Sequence, residues 1–218
     1  MSEKIMVEFT IEPFIDGTPG HHVTRAIAAV ESFTGILMLA LVTGLIYGRF
    51  SQPKAYIKFS SIALFAPFKD GYAFMFRFAP FKQHFLTDVE VKVTCVMKYT
   101  ENETERKNAF YSLDLELSKA NTLASNWTIV HSINEKSPLS QLTRKEIAEA
   151  ETEILVFVKG YDEEYANTVV SRTSYISAEF IYGAKFNMMY EPSEDNSTTI
   201  LHMDKIDSYH EEKLPVSI

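Results

Sequence analysis

The chain has 218 residues, 46% hydrophobic and 13% aromatic, with 21 Lys+Arg against 29 Asp+Glu. That mass of apolar and aromatic side chains suits one packed domain with an appendage, and with a mean hydropathy of −0.08 it excludes a disordered chain, a collagen-like chain and a polytopic membrane protein. The net charge of −8 argues against nucleic acid, whose phosphates need a Lys/Arg surface, and leaves cations as the partners this balance tolerates best.

Residues 1–20 carry Glu3, Glu8, Glu12 and Asp16 and lead into the apolar block AIAAVESFTGILMLALVTGLIYG, residues 26–48, in which Glu31 is the one ionisable residue. As a helix of about 1.5 Å per residue the block reaches roughly 34 Å, enough to cross a hydrocarbon core of about 30 Å. A signal peptide does not fit, because the preceding segment is long and acidic and no A-x-A cleavage site follows. A buried core helix is the competing reading, but no second apolar segment of comparable length exists to pack around this one. Arg49, Lys54, Lys58 and Lys69 follow the block while only Lys4 and Arg25 precede it, which places the larger C-terminal part in the cytoplasm. Residues 1–55 hold four of the 21 basic and five of the 29 acidic residues, so the acidity belongs to the remainder. Glu31 at membrane depth needs a partner or a wet cavity, and otherwise a place at the external interface, six residues after Arg25. Gly35 and Gly44 allow close helix approach or a bend.

Beyond Pro53 the apolar period changes from 3.6 to 2. Tyr72, Phe74, Phe76 and Phe78 alternate with Ala73, Met75 and Arg77; Val89, Val91, Val93 and Cys95 alternate with Glu90, Lys92 and Thr94, and Tyr111, Leu113, Leu115 and Leu117 with Ser112, Asp114 and Glu116. Residues 127–130, 154–158, 168–175 and 180–186 continue the series between polar breaks, the pattern of an all-β sandwich. Thr143 and Glu146 match a capping box that opens a short helix reaching Glu151. The tail from Pro192 reads as a polar loop followed by one short segment.

Catalytic and metal-binding motifs are scarce. Cys95, the one cysteine, forbids an intrachain disulfide and fits a reducing compartment, so the sequons at Asn102, Asn126 and Asn196 are read as chance. His21 and His22 are adjacent and share no helical face, while His131, His202 and His210 lack partners at metal-ligand spacing. Asp162, Glu163 and Glu164 read as a solvated loop. No catalytic residues, resident metal or cofactor emerge, and an enzyme reading has no residues to support it.

The segments GLIYGRFSQPKA (44–55), HSINEKSPLSQLT (131–143), ILVFVKGYDEE (154–164) and TSYISAEFIYGAKF (173–186) together resemble inward-rectifier potassium channels, especially their prokaryotic members, over roughly residues 20–212. The resemblance implies a homotetramer with K+ as the permeant ion of the parent channel. It divides the chain into an unmatched segment 1–20, an inner transmembrane helix 21–50, a cytoplasmic immunoglobulin-like β-sandwich 51–212 and a tail 213–218. Gly35 falls at the family's inner-helix glycine. Tyr47 falls at the bulky residue of the bundle crossing, although an aromatic there also suits an interfacial belt. Leu39 replaces the acid of strong rectifiers, so that multivalent-cation site is absent. Glu90 matches an acidic position of the cytoplasmic pore, or else is ordinary strand surface; Lys159 stands where eukaryotic members often carry a second acid. Residues 160–168 correspond to a loop that constricts the cytoplasmic pore, with Gly160, Tyr161 and Ala166 as its lining and Tyr161 and Ala166 at its narrowest points. Arg49 and Lys54 occupy the junction that holds anionic lipid headgroups, where positive-inside anchoring explains them equally well. Gln52 and Ala55 replace basic residues of eukaryotic relatives.

The family's outer helix, pore helix and T-x-G-Y-G filter are not found in these 218 residues. The sequence is therefore expected to represent the C-terminal part of such a channel, not conducting alone. The alternative is a single-pass membrane protein whose β domain acts in assembly, binding or regulation.

Overall fold

A computed structural model describes residues 22–50, 55–81, 85–102, 105–195 and 197–215. The chain divides into two compact units at Gln52 and Pro53. The first holds α1, His22–Phe50, a 29-residue helix whose apolar side chains are exposed: Leu39 is 69%, Leu45 74% and Tyr47 73% accessible. None of its most apolar window is buried, which sets aside the reading of a core helix.

The second unit is a β-sandwich. Its first sheet contains β1 (Ile57–Phe59), β2 (Ala63–Phe68), β3 (Gly71–Pro80), β7 (Trp127–Ser132) and β10 (Phe180–Tyr182); β3 is central and β10 runs parallel to β2. The second sheet contains β4 (Leu86–Asn102), β5 (Glu105–Ser112), β6 (Lys119–Leu123), β8 (Glu153–Asp162) and β9 (Asn167–Ile176), with β5 and β6 pairing to successive parts of β4. Alternation explains the core: Phe74, Phe76 and Phe78 from one sheet meet Val89, Val91, Val93, Cys95, Val156 and Val158 from the other. Burial pushes the Cys95 thiol up to about 12, so it packs as a small apolar group. Tyr175 of β9 spans the sheets, its hydroxyl donating to the Ser60 carbonyl at 3.0 Å.

Three expectations change. The alternation from Tyr111 to Leu117 is not one strand, because β5 ends at Ser112. The following segment bonds to both sheets in turn: Leu113 N–H donates to Val93 O, Glu116 N–H to Val130 O, and Ser118 O accepts from Val91 N–H. Residues 180–186 split at Gly183 into β10 and β11 (Ala184–Phe186); its φ of 72° is open to glycine, and a Cβ would stand 3.3 Å from Glu212 O. The short helix α2 is Arg144–Glu149, ending before the expected Glu151, with the capping box as expected. The tail forms β12 (Tyr190–Pro192) with β13 (Thr199–Leu201), and β14 (Tyr209–Glu211) against β11.

This C-terminal segment covers the outer face of β3. Ala79 packs with Met189 and Ile206, and Met75 lies in a cluster with Phe186. Between them Arg77, 1% exposed, donates Nε to Ile206 O at 2.7 Å, Nη1 to Asn187 O at 2.6 Å, and Nη2 to Lys205 O at 2.5 Å and Ser208 O at 3.1 Å. Its guanidinium lies 4.4 Å from the Phe186 ring centroid. Desolvation lowers Arg77 to about 10, which leaves it charged at neutral pH. Arg77→Met is expected to destabilise the unit by roughly 3 kcal/mol, since the four carbonyls lose their donor. Hydrogen exchange should rise first in residues 184–214; unchanged protection there would refute the anchoring role.

His131 is similarly enclosed. The Asp114 carbonyl, 2.6 Å from Nδ1, can only accept, so Nδ1 carries the proton and Nε2 accepts from the Ser137 hydroxyl at 2.8 Å. Burial lowers the His131 pKa below its ordinary value, so the neutral form favours the fold above the unfolded-state pKa of about 6.5. That contribution is lost as pH falls through the folded-state value. His131→Asn keeps a donor towards Asp114 and cannot titrate, so its unfolding free energy should decline less than wild type between about pH 7 and 5; equal slopes would remove this account.

Candidate functional site

Helix α1 places Glu31, Gly35, Leu39, Thr43 and Tyr47 at four-residue steps, a ridge drifting about 40° per step. Leu39 and Tyr47 are both highly exposed on it, and a Cβ at Gly35 would meet no atom within 4 Å. Arg49 lies in the last turn, where its charge complements the helix dipole. Lys54 lies outside the described residues.

Glu90 belongs to β4, whose Val89, Val91 and Val93 enter the core, so Glu90 and Lys92 face outward. In register, Glu90 lies opposite Lys119 of β6 on one side and Lys159 of β8 on the other. Lys119 Nζ and Lys92 Nζ approach Glu90 Oε1 to 3.7 and 3.8 Å. Two ammonium groups thus approach the one carboxylate while Lys159 stands opposite it in register, and sequence reasoning identified only Lys159 among the three. β6, KANTL, has no apolar alternation to announce it, and only the pairing brings Lys119 to Glu90.

The expected loop at 160–168 is shorter than the sequence suggests. Strand β8 continues through Asp162, β9 starts at Asn167, and these two residues pair, leaving a four-residue turn. Gly160 lies within β8 on the core side: a Cβ there would stand 3.3 Å from Leu86 Cβ and 3.4 Å from Val89 Cγ2. Its role is to admit those side chains, not to line the outward face. Tyr161 is an outward strand residue paired with Thr168, and it is 41% exposed. Ala166 sits in the turn at φ 47°. Asp162 is not solvated; it is buried, and its Oδ1 accepts from Glu164 N–H at 3.0 Å and Tyr165 N–H at 3.2 Å, an Asx turn that fixes the hairpin tip. The structure therefore brings Glu90, Lys159 and Tyr161 to one face and places Gly160 behind it. Among the described residues no group of three His, Cys, Asp or Glu could hold a metal ion.

Comparison with known proteins agrees with this architecture. Residues 57–216 match the model of the inward rectifier potassium channel C-terminal domain. The chain is 28% identical over 162 residues to inward rectifier potassium channel Kirbac3.1 of Paramagnetospirillum magnetotacticum, covering 74% of this chain and 55% of that protein. It is 26% identical over 168 residues to G protein-activated inward rectifier potassium channel 2 of Pongo abelii and to channel 4 of Bos taurus, covering 72% of this chain and 39% of each. It thus spans about half the length of the first relative and less of the others. The crystal structure of Spo0M, sporulation control protein, from Bacillus subtilis aligns with a TM-score of 0.31 and 7% identity over 57% of this chain and 49% of that one, too slight a likeness to bear on the fold. The domain match over most of the chain, a sandwich of the expected class and a preceding helix of membrane-spanning length together identify the chain as a member of the inward-rectifier potassium channel family, a membrane protein whose bulk is the family's cytoplasmic C-terminal domain.

Proposed function

We propose that this chain supplies the inner pore helix and the cytoplasmic pore of an inward-rectifier-type channel that assembles as a homotetramer and has K+ as its permeant ion. The observation that carries the reading is the family domain at 57–216 preceded by a membrane-length helix with Gly35, Leu39 and Tyr47 on one ridge. Four such ridges around an axis would line a path, and four tyrosine rings would narrow it sterically and by dewetting. Leu39 gives that path no carboxylate, so block by multivalent cations at this level is weak.

The same assembly directs the outward face of the second sheet, with Glu90, Lys159 and Tyr161, to the continuing ion path, and it sets the turn bearing Ala166 at a constriction. The domain's topology is immunoglobulin-like in this reading, and its work is conduction and gating, not catalysis. Arg49 and Lys54 stand at the membrane junction, where each cation near an anionic leaflet contributes about 1 kcal/mol. Selectivity belongs to a carbonyl-lined filter, and the 218-residue sequence contains no T-x-G-Y-G.

The purified chain in detergent is expected to sediment as a tetramer, and in liposomes to give no K+-selective flux. Monomer alone at high concentration would defeat the pore assignment. Ba2+-sensitive K+ uptake by the chain alone would defeat the assignment of selectivity to a separate filter.

A further inference from the structure

Two phenylalanines stand exposed at the end of the second unit where its chain begins. Phe81 and Phe85, 56% and 60% exposed, border the connection between β3 and β4. Phe81 follows Pro80, which pairs with Ile57 at the start of β1, and its N–H donates to Tyr56 O at 2.9 Å. The Tyr56 and Phe81 ring centroids lie 6.2 Å apart. Phe85 leads into β4, whose first residue Leu86 pairs with Asp162 at the end of β8. Four residue steps separate Phe81 from Phe85, at most about 14 Å of extended chain. Tyr56, Phe81 and Phe85 therefore share one end of the sandwich.

That end is also the one tethered to the membrane. α1 ends at Phe50, and six residue steps lead from there to Tyr56. Covalent linkage alone keeps Tyr56 within about 21 Å of the helix end, whatever orientation the second unit takes. Water is a poor surrounding for neighbouring phenylalanines, whereas the headgroup–acyl boundary of a bilayer accepts aromatic rings beside mixed charge. Charge of one sign does not dominate here. Lys58 is exposed and donates Nζ to Met203 O at 3.2 Å, and Lys54, Lys82 and His84 flank the aromatic residues in sequence. Against them stand Asp88 two residues beyond Leu86, Glu163 and Glu164 in the turn after Asp162, and Asp204 beside Met203, all exposed.

We propose that Phe81 and Phe85 form an aromatic anchor that seats this end of the domain in the headgroup–acyl boundary of the bilayer crossed by α1. The occupant of the patch is lipid. Because cations and acids are mixed around the two rings, the seating is driven by apolar burial and not by attraction to anionic headgroups, which separates it from the role of Arg49 and Lys54. The patch lies wholly on the second unit. The proposal rests on α1 crossing a membrane and is independent of the pore assignment and of the oligomeric state.

The test is site-directed spin labelling of the full-length chain in liposomes of phosphatidylethanolamine and phosphatidylglycerol. Cys95 is buried, so the label goes to single cysteines introduced as Phe81→Cys, Phe85→Cys and, for reference, Phe110→Cys. Phe110 is 66% exposed and pairs with Val96, ten residues along β4 from Leu86, so it stands about 34 Å from the patch. The first two labels should show a ratio of O2 to aqueous Ni2+-chelate collision rates at least about threefold above that of the third. That ratio should hold as salt rises from about 50 to about 500 mM. Leu41→Cys, about 200° around α1 from Leu39, reports insertion of the helix in the same samples. Thermal unfolding checks each variant, and the second phenylalanine gives an independent arm should the first variant unfold. Ratios equal to the Phe110 reference while the Leu41 position reads lipid would overturn the proposal. So would a ratio that falls to the reference value at high salt, which identifies charge attraction alone, or exclusion of both probes, which identifies a protein partner such as a second copy over the patch. A water-exposed label at the Leu41 position would remove the membrane span and the proposal with it.

Discussion

One guanidinium organises the second unit. Arg77 sits in the middle of β3, the strand to which β1, β2 and β7 all pair, and its side chain points away from the sandwich core into a segment more than a hundred residues later. A charged group buried there requires hydrogen-bond acceptors, and the four carbonyls from Asn187 to Ser208 take four of its five N–H donors. The constraint is mutual. Without the C-terminal segment Arg77 would face water on an otherwise apolar sheet; without Arg77 the segment would leave four inward carbonyls unsatisfied. The first sheet is therefore enclosed on both faces, as the uninterrupted burial from Ala73 to Ala79 shows.

The second sheet has the opposite character, because nothing in the described residues of its own unit covers its outward face. β4 explains how that face stays ordered: its 17 residues pair with β8 along one side and with β6 and then β5 along the other. A bulge near Asp88, at φ 48°, and the missing side chain at Gly160 let Leu86 and Val89 turn into the core at the end of the sheet that bears Tyr161. Lys159 and Tyr161 on either side of Gly160 consequently project to the same side as Glu90. An ordered, uncovered, charged sheet face is the surface that a symmetric assembly can turn towards an ion path.

Much of this was legible in the sequence where the signal is local and periodic. The alternations in β3, β4, β8 and β9, the capping box at Thr143 and the apolar length of α1 are each written in consecutive residues. Features that arise only from pairing were not. The 113–118 segment keeps a strand-like alternation but bonds to two sheets in turn, so period alone misassigns it. Gly160 and Tyr161 are sequence neighbours, and only strand continuity to Asp162 shows that they point to opposite sides. Arg77 read as the polar face of a strand because its acceptors are backbone carbonyls, which no side-chain pattern announces. Glu90 read as a pore acid or as ordinary strand surface with no partner named, since β6 contributes Lys119 through register and not through sequence distance.

The ion pairs around Glu90 bear on how that face behaves. Exposed pairs of this kind are worth about 0.2–1 kcal/mol and are screened within a Debye length of about 8 Å at physiological salt. That is too little to fix Lys92 or Lys119 in one position, yet enough to set the average field. A carboxylate alone would draw cations; with Lys92 and Lys119 beside Glu90 and Lys159 opposite it in register, the local surface is net positive instead. In the proposed assembly such a face would concentrate multivalent cations less than a carboxylate ring, and Leu39 supplies no carboxylate at its own level of α1. Repulsion scales with the charge of the ion, so the same field costs a monovalent cation far less than a multivalent one. In the proposed assembly Leu39 and the lysines near Glu90 would therefore act in the same direction, both reducing affinity for multivalent cations.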